Sequence, residues 1–166
     1  MNVVVKVPFK VVVEESQERD VVAATRQKPC EWLFGGVDVA NLPQSCLHYG
    51  AKFVDELNLE DTSWNWELAG ATHAKPSLAF GRGSIPTHVD EITSTTLLIL
   101  LYCRPWVKEH ATQPNPMDQG GEFFSDCSPV VMYPGQAIVF NDCQPHAWLS
   151  NAAWAFATFP LIKLHK

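Results

Sequence analysis

The second half of the chain alternates short apolar runs with turn-forming residues. Its longest apolar run covers residues 97–101, within a predicted buried strand at residues 95–103. Shorter runs rich in β-branched and aromatic residues follow it, and Pro, Gly and Asn residues separate them. These further predicted strands are residues 122–124, 130–133, 137–141, 146–149 and 154–162. Several short strands at such spacing are typical of a β-sandwich or barrel.

The first half is more polar and mixes helical with extended patterns. Residues 14–27 carry charged side chains on neighbouring turns and predict a helix. Residues 43–59 place apolar side chains near helical spacing and predict a second helix. Shorter extended stretches are predicted at residues 3–5, 8–13, 30–40 and 64–66. The chain is therefore expected to be mainly β, with one or two helices packed on one face.

Composition fits one domain and argues against several classes of protein. Of the 166 residues, 46% are hydrophobic and 18% are charged, an ordinary balance for a globular domain. The formal net charge is −6 without any lysine or arginine run, so a nucleic-acid partner is not expected. The longest apolar run is far shorter than the roughly 20 residues of a membrane span, and no secretory-signal pattern is visible.

The five cysteines are far apart in the sequence and form no Cys-x-x-Cys pair. This spacing argues against a zinc ribbon and against a redox-active Cys-x-x-Cys motif. We therefore expect reduced thiols and a cytoplasmic location.

Three residues carry the candidate chemistry. His88 and Asp90 are two positions apart, so on an extended strand both side chains turn to the same face. His146 begins another predicted strand, which a barrel can place beside the first. Two imidazoles and one carboxylate on one side of a metal ion form the facial triad of non-haem Fe(II) enzymes and leave three positions open. A His-x-Asp pair also arises by chance, and a structural core histidine is the more common outcome.

The surrounding motifs resemble those of the Fe(II)/2-oxoglutarate-dependent dioxygenase superfamily, particularly its small prolyl-hydroxylase-like members. The likeness covers about residues 80–160 and consists of an ordered set of segments. In sequence order these are Pro-Thr-His-Val-Asp-Glu at 86–91, Thr-Thr-Leu-Leu-Ile-Leu-Leu-Tyr at 95–102, Gly-Gly-Glu-Phe-Phe at 120–124, Tyr-Pro-Gly-Gln-Ala-Ile-Val-Phe-Asn at 133–141 and Pro-His-Ala-Trp at 145–148.

The resemblance implies a double-stranded β-helix, or jelly roll, with one or two supporting N-terminal helices. The chain length fits one domain over residues 1–166, in which we expect N-terminal strands and helices at 1–79 and a metal-binding core at 80–162. His88, Asp90 and His146 would bind Fe(II) and form the catalytic centre. The enzyme would use O2 and 2-oxoglutarate, release succinate and CO2, and hydroxylate an amino acid, a peptide side chain or a small metabolite.

One part of the family pattern is missing. The family usually anchors the distal carboxylate of 2-oxoglutarate with Arg or Lys on the strand after the distal His, but residues 151–159 contain no basic side chain. Some branches place the anchor on the earlier strand, so Arg104 is the predicted anchor if its side chain faces into the barrel. Thr96, Tyr102 and Thr158 are predicted to add hydroxyl donors to the co-substrate.

Two residues are predicted to contact the substrate. Trp148 lies two positions beyond His146 and shares its face on a regular strand. Arg82, between Gly81 and Gly83, could form a lip over the site, although Gly-Arg-Gly is also an ordinary loop sequence. The missing anchor leaves two other classes open: a non-catalytic jelly-roll binding module, and a cupin-like metalloenzyme that does not use 2-oxoglutarate.

Overall fold

Two antiparallel sheets face each other in a computed structural model that describes residues 5–7, 9–26, 32–60, 64–69, 75–90, 95–105, 119–125 and 129–165. The helices are α1 (Glu15–Thr25) and α2 (His48–Glu60), with a short 3-10 helix at Gln44–Cys46. The strands are β1 (Val5–Lys6), β2 (Asp38–Asn41), β3 (Trp64–Leu68), β4 (Ser77–Arg82), β5 (Ile85–His88), β6 (Thr95–Pro105), β7 (Gly121–Phe124), β8 (Val130–Met132), β9 (Ala137–Asn141), β10 (His146–Leu149) and β11 (Ala152–His165).

The larger sheet has the order β1-β9-β6-β11-β4-β2, and β3 pairs with the far end of β11. We call it the major sheet. The minor sheet has the order β5-β10-β7-β8. Strands that are distant in sequence are neighbours in both sheets, as a jelly roll requires. The expected mainly β class and jelly-roll architecture are therefore confirmed.

The major sheet is apolar on both faces because it lies between two cores. On β11 the alanines at 153, 155 and 157 face the helices, while Trp154 and Phe156 face the minor sheet. This alternation follows from the two-residue period of a strand. We call the two faces of the major sheet the helix-side face and the inner face. Large side chains thus fill the space between the sheets, and small ones let the other core pack closely on β11.

Both helices cover the helix-side face. The N-terminus of α1 has a capping box, in which Glu14 and Gln17 each bind the other's backbone. The Gln17 side chain also donates to the Ser45 carbonyl oxygen at 2.9 Å and accepts from the Tyr49 hydroxyl. These buried polar contacts tie α1 to the start of α2. The two predicted helices and their packing on one face are confirmed.

Most predicted strands are present, with three differences. The N-terminal strand is limited to Val5–Lys6, and residues 9–14 run without strand structure. The stretch at 30–40 contributes a strand that begins at Asp38, and residues 27–31 lie outside the described residues. The sequence patterns missed β4, whose Ser, Ala and Gly residues give little apolar signal. The boundary expected between the N-terminal part at 1–79 and the metal-binding core at 80–162 lies inside β4. Among the described residues, neither helix has the length and apolar content to cross a bilayer.

Gly135 holds the turn before β9 against the N-terminal segment. Its φ is +92°, a value that side-chain-bearing residues rarely adopt, and a Cβ there would meet the Val11 carbonyl oxygen at 2.0 Å. The Val11 N–H donates to the Gly135 carbonyl oxygen at 3.0 Å. The close approach of these two backbones therefore depends on the missing side chain.

We predict that Gly135→Ala destabilises the protein more than Gly35→Ala. Gly35 also has a positive φ, +70°, but a Cβ there would meet nothing within 4 Å. Gly35→Ala should cost about 1–2 kcal/mol from backbone strain alone. Gly135→Ala should cost about 1–3 kcal/mol more because of the steric clash. Urea unfolding measures both free energies, and equal losses would show that the Val11 contact has no effect.

Candidate metal centre

His88, Asp90 and His146 converge at one end of the minor sheet. His88 ends β5 and His146 begins β10, and the two residues are directly opposite each other in the antiparallel register. Their ring centroids are 4.3 Å apart. The Asp90 carboxylate lies 3.7 Å from His88 Nε2 and 3.5 Å from His146 Nε2. One nitrogen or oxygen from each residue lies within 4.8 Å of the others, a spacing that suits a shared metal ion.

The position of Asp90 differs from the expected one. The sequence pattern places His88 and Asp90 on the same strand, but β5 ends at His88 and Asp90 lies beyond it. The Asp90 N–H donates instead to the Asp142 carbonyl oxygen at 3.1 Å, in the turn after β9. A contact with another strand end, rather than strand alternation, therefore turns the carboxylate towards the histidines.

Both imidazoles are oriented through their Nδ1 atoms. Nδ1 of His88 lies 2.9 Å from the Pro86 carbonyl oxygen, and Nδ1 of His146 lies 2.7 Å from the Gln144 carbonyl oxygen. Because a carbonyl can only accept, we assign the proton to Nδ1 in both rings. Each Nε2 is then directed at the carboxylate and, when deprotonated, is available to a metal ion. Such outer hydrogen bonds commonly fix metal-binding histidines.

The protonation of the site follows from these contacts. Burial of His146 disfavours its imidazolium, but the hydrogen bonds to Asp90 and Gln144 and the charges of Asp90 and Asp142 outweigh burial and raise its pKa. The hydrogen bond from His146 lowers the pKa of Asp90 against the opposing effect of burial. The Asp90 carboxylate therefore stabilises the protonated form of His146, and the His146 hydrogen bond stabilises the ionised form of Asp90. A divalent cation at Nε2 would replace the proton in the same field.

The site is closed on one side and open on the other. His146 is 6% exposed and packs against the rings of Phe140 and Phe123, with centroid distances of 4.9 and 5.9 Å. The side chains of His88 and Asp90 are 37% and 48% exposed. An apolar wall thus backs the donor atoms, while ligands can approach from the His88 and Asp90 side. Two imidazole nitrogens and one carboxylate oxygen, without thiolate, fit Fe(II) and leave coordination positions open.

The predicted co-substrate residues lie on two different faces of the major sheet. Thr96 is on the inner face, next to the triad, and its hydroxyl donates to Asp142 Oδ2 at 3.1 Å. Thr158 is on the inner face of β11, and its hydroxyl lies 2.5 Å from that of Ser77. Both threonines therefore lie on the surface that faces the metal centre.

Tyr102 and Arg104 are on the helix-side face. The pairing of β6 with β11 shifts by one residue after Leu100, so the alternation that keeps 96, 98 and 100 inside turns 102 and 104 outside. Arg104 Nη2 lies 2.7 Å from Glu18 Oε2 in α1, and its guanidinium lies over the Tyr102 ring. The condition set for the Arg104 anchor, a side chain facing into the barrel, is not met. Its role as an anchor stays a prediction that its surroundings do not support.

The two predicted substrate residues lie away from the opening of the site. Arg82 is paired with Ala153 on the helix-side face. It ends β4, whereas Ser77 begins that strand, and its guanidinium lies 5.3 Å from the Phe34 ring centroid. Trp148 shares the face of His146 as expected, but it is 5% exposed and packs on the Phe156 ring and against Gly121. Its surroundings are those of a core residue, and both substrate roles stay predictions.

Sequence reasoning missed two residues that shape the site. Asp142 accepts from the Asp90 backbone and from Thr96, so it links the strand ends around the triad. Ser77 lies on β4, which the sequence patterns did not predict, and it pairs with Thr158 through their hydroxyl groups. The Asn-Asp turn four residues before His146 was a usable signal for Asp142. Ser77 has no comparable signal because only the β4–β11 pairing brings it to this surface.

Comparison with known proteins shows the fold. No protein-family model matches the chain, and no curated protein sequence does. Among solved structures, a 2OG-Fe(II) oxygenase family oxidoreductase from Burkholderia pseudomallei aligns with a TM-score of 0.53 and 14% identity, covering 95% of this chain and 84% of its own. The described chain thus has the jelly-roll fold of that oxygenase.

Two prolyl hydroxylases align less closely, each at 14% identity. The first, from Trichoplax adhaerens, is in complex with a hypoxia inducible factor oxygen degradation domain peptide fragment; its TM-score is 0.48, covering 96% of this chain and 82% of its own. The second is a Pseudomonas putida prolyl-4-hydroxylase with a TM-score of 0.44, covering 99% of this chain and 92% of its own.

We predict that Thr96→Val weakens metal binding by about 10-fold or more, the loss typical of removing an outer partner of a metal ligand. The change deletes the hydroxyl that holds Asp142, which in turn holds the Asp90 backbone. Thr95→Val is the matched control, because Thr95 is on the same strand and registers with Leu161 of the helix-side core. Co(II) titration followed by visible absorbance compares them. Equal affinities in the two variants would contradict the role of Thr96.

Proposed function

We propose that this chain is an Fe(II)-dependent oxygenase that uses a 2-oxo acid to oxidise a C–H bond of an organic substrate. The observation that carries the proposal is the convergence of one nitrogen from each imidazole and one carboxylate oxygen within 4.8 Å of one another. The jelly-roll fold shared with a 2OG-Fe(II) oxygenase family protein supports it. In this proposal His88, Asp90 and His146 hold the ion, and the iron supplies the chemistry of O2 activation.

The overall reaction balances as a monohydroxylation. The substrate C–H bond, O2 and the 2-oxo acid yield an alcohol, a carboxylic acid shortened by one carbon, and CO2. One oxygen atom enters the alcohol and the other enters the new carboxylate. Oxidative decarboxylation supplies two electrons and the C–H bond supplies two, which together reduce O2 by four electrons. With 2-oxoglutarate, the acid in the sequence-based prediction, the shortened product is succinate.

In this proposal the neighbouring residues orient the three metal ligands and exclude water from one side of the site. The Pro86 and Gln144 carbonyl oxygens hold the Nδ1 protons and keep each Nε2 directed at the ion. Asp142 fixes the backbone of Asp90. The rings of Phe140 and Phe123 exclude water from the buried side of His146. The exposed sides of His88 and Asp90 leave a path for the substrate. The candidate substrates are amino acids, peptide side chains and small metabolites.

We predict that Asp90→Ala abolishes Fe(II)-dependent turnover while the protein stays folded. The carboxylate is half exposed, so its loss leaves no buried cavity, yet it removes the charged donor. Removing a residue that hydrogen-bonds a metal ligand typically weakens metal binding by about 10–100-fold. We expect Asp90→Ala to weaken it more, because Asp90 is itself a ligand. Asp55→Ala is the matched control, since Asp55 is an exposed carboxylate on α2.

The measurement is release of labelled CO2 from the C1 position of a 2-oxo acid, with anaerobic Fe(II) binding measured in parallel. Asp55→Ala should match the parent protein in both. Two results would contradict the proposal: a parent protein that does not bind Fe(II), or an Asp90→Ala variant that binds it equally well.

A further inference from the structure

A cleft lies on the outer face of the minor sheet, opposite the face that carries the metal centre. Trp148 and Phe123 pack into the core between the sheets, so their chain neighbours Leu149 and Glu122 face outwards. We call this cleft the outer cleft, and its volume is about 290 Å³. The residues that line it include Gly120, Glu122, Val131, Tyr133, Leu149 and Asn151.

Cross-strand register places the Glu122 side chain between two apolar ones. Glu122 pairs with Leu149 of β10 on one side and with Val131 of β8 on the other. Neighbouring strands lie about 5 Å apart, so the three side chains form one row across the sheet. Leu149 and Val131 are 52% and 42% exposed. The carboxylate therefore lies within an apolar surface that is open to solvent.

A tyrosine ring over a glycine forms the next row of this face. Gly121 pairs with Met132, which makes Gly120 and Tyr133 neighbours one position further along. A Cβ on Gly120 would meet a carbon of the Tyr133 ring at 2.7 Å, so the ring occupies the space that a side chain would need. The two rows are about 7 Å apart, the two-residue repeat of a strand. The cleft thus lies between a half-exposed aromatic ring and a carboxylate.

This combination of groups is complementary to an organic cation. Among the described residues that line the outer cleft, Glu122 carries the only formal charge, and none is a lysine or arginine. A cation in the cleft can approach the face of the Tyr133 ring and the Glu122 carboxylate together. Arginine suits this arrangement better than lysine, because its planar guanidinium can stack on a ring while its N–H groups bind a carboxylate. The apolar stem of the same side chain can pack against Leu149 or Val131.

The exposed apolar row favours a cation that belongs to a protein over a free amine. An ion pair at an exposed site contributes little by itself, because solvent screens it. A free amine would leave Leu149 and Val131 in contact with water, whereas a protein surface can cover both and remove their apolar area from water. Arginine and tyrosine are also common among the residues that contribute most to binding at protein interfaces.

We propose that the outer face of the minor sheet is a docking surface for a partner protein, and that the outer cleft receives an arginine side chain of that partner. The guanidinium stacks on the Tyr133 ring and donates hydrogen bonds to the Glu122 carboxylate. Leu149 and Val131 pack against apolar side chains on either side of the arginine. This inference does not depend on the proposed function, because the metal centre lies on the other face of the sheet.

The test compares two peptides that differ in charge but not in shape. The first is acetyl-Val-Gly-Arg-Gly-Val-amide, whose valines lie on the same side as the arginine when the peptide is extended. The second contains citrulline, a neutral analogue of nearly the same shape, in place of arginine. Each peptide is titrated into the isotope-labelled full chain, and changes in amide chemical shifts give both the affinity and the location of binding.

We expect the arginine peptide to bind about 10-fold more tightly than the citrulline peptide, from the ring contact and the ion pair together. The shifts should include the amides of Gly120, Gly121 and Glu122. Three results overturn the inference: equal affinities, no saturable binding of the arginine peptide, or shifts confined to residues outside the outer cleft.

Two variants test the groups of the outer cleft separately. Glu122→Gln keeps the shape of the side chain and should remove most of the preference for the arginine peptide. Glu67→Gln is the matched control, because Glu67 is an exposed carboxylate on β3, and it should leave the preference unchanged. Tyr133→Leu keeps an apolar side chain without the ring and should weaken binding of the arginine peptide more than that of the citrulline peptide. An unchanged preference in Glu122→Gln contradicts the proposed ion pair.

Two further probes test the identity of the occupant. If a peptide with lysine in place of arginine binds as tightly, the cleft recognises charge alone and the assignment of an arginine is wrong. If acetyl-arginine-amide binds as tightly as the arginine peptide, the apolar row contributes nothing to binding. The outer cleft would then be a site for a small cation, and the proposed docking of a protein would be refuted.

Discussion

The antiparallel pairing of β10 with β5 places His146 directly opposite His88. Every other feature of the candidate site depends on this register. A slip of one residue would turn one imidazole to the outer face of the minor sheet and separate the two nitrogens. The pairing of β10 with β5 shifts between His146 and Trp148, and Trp148 packs against Gly121 of β7 and Phe156 of β11.

Asp142 connects the sheet pairing to the third donor. Its carbonyl oxygen accepts from the Asp90 backbone, and its carboxylate accepts from Thr96 on the major sheet. The two sheets therefore meet at the metal centre through hydrogen bonds as well as through the core. The same carboxylate lowers the positive charge that a bound divalent ion would present. Asp142 thus both positions the Asp90 backbone and adds a negative charge next to the metal centre.

The region between the two sheets changes character along its length. At the triad end it contains the hydroxyl groups of Thr96 and Thr158, while deeper positions are filled by Trp154, Phe156 and Trp148. Close packing of these rings stabilises the two-sheet fold.

The sequence by itself determined the order of the donor residues and most strands, because two-residue periodicity and turn residues are local signals. It also indicated correctly that His88, Asp90 and His146 would meet. Only the tertiary structure decided which face Arg104 takes, since the register shift after Leu100 depends on pairing with β11 and reverses the alternation. The same holds for Asp90, whose orientation comes from a hydrogen bond to a distant turn rather than from its own strand. Non-local pairing, which no local pattern encodes, therefore determined how the side chains of Arg104 and Asp90 are oriented.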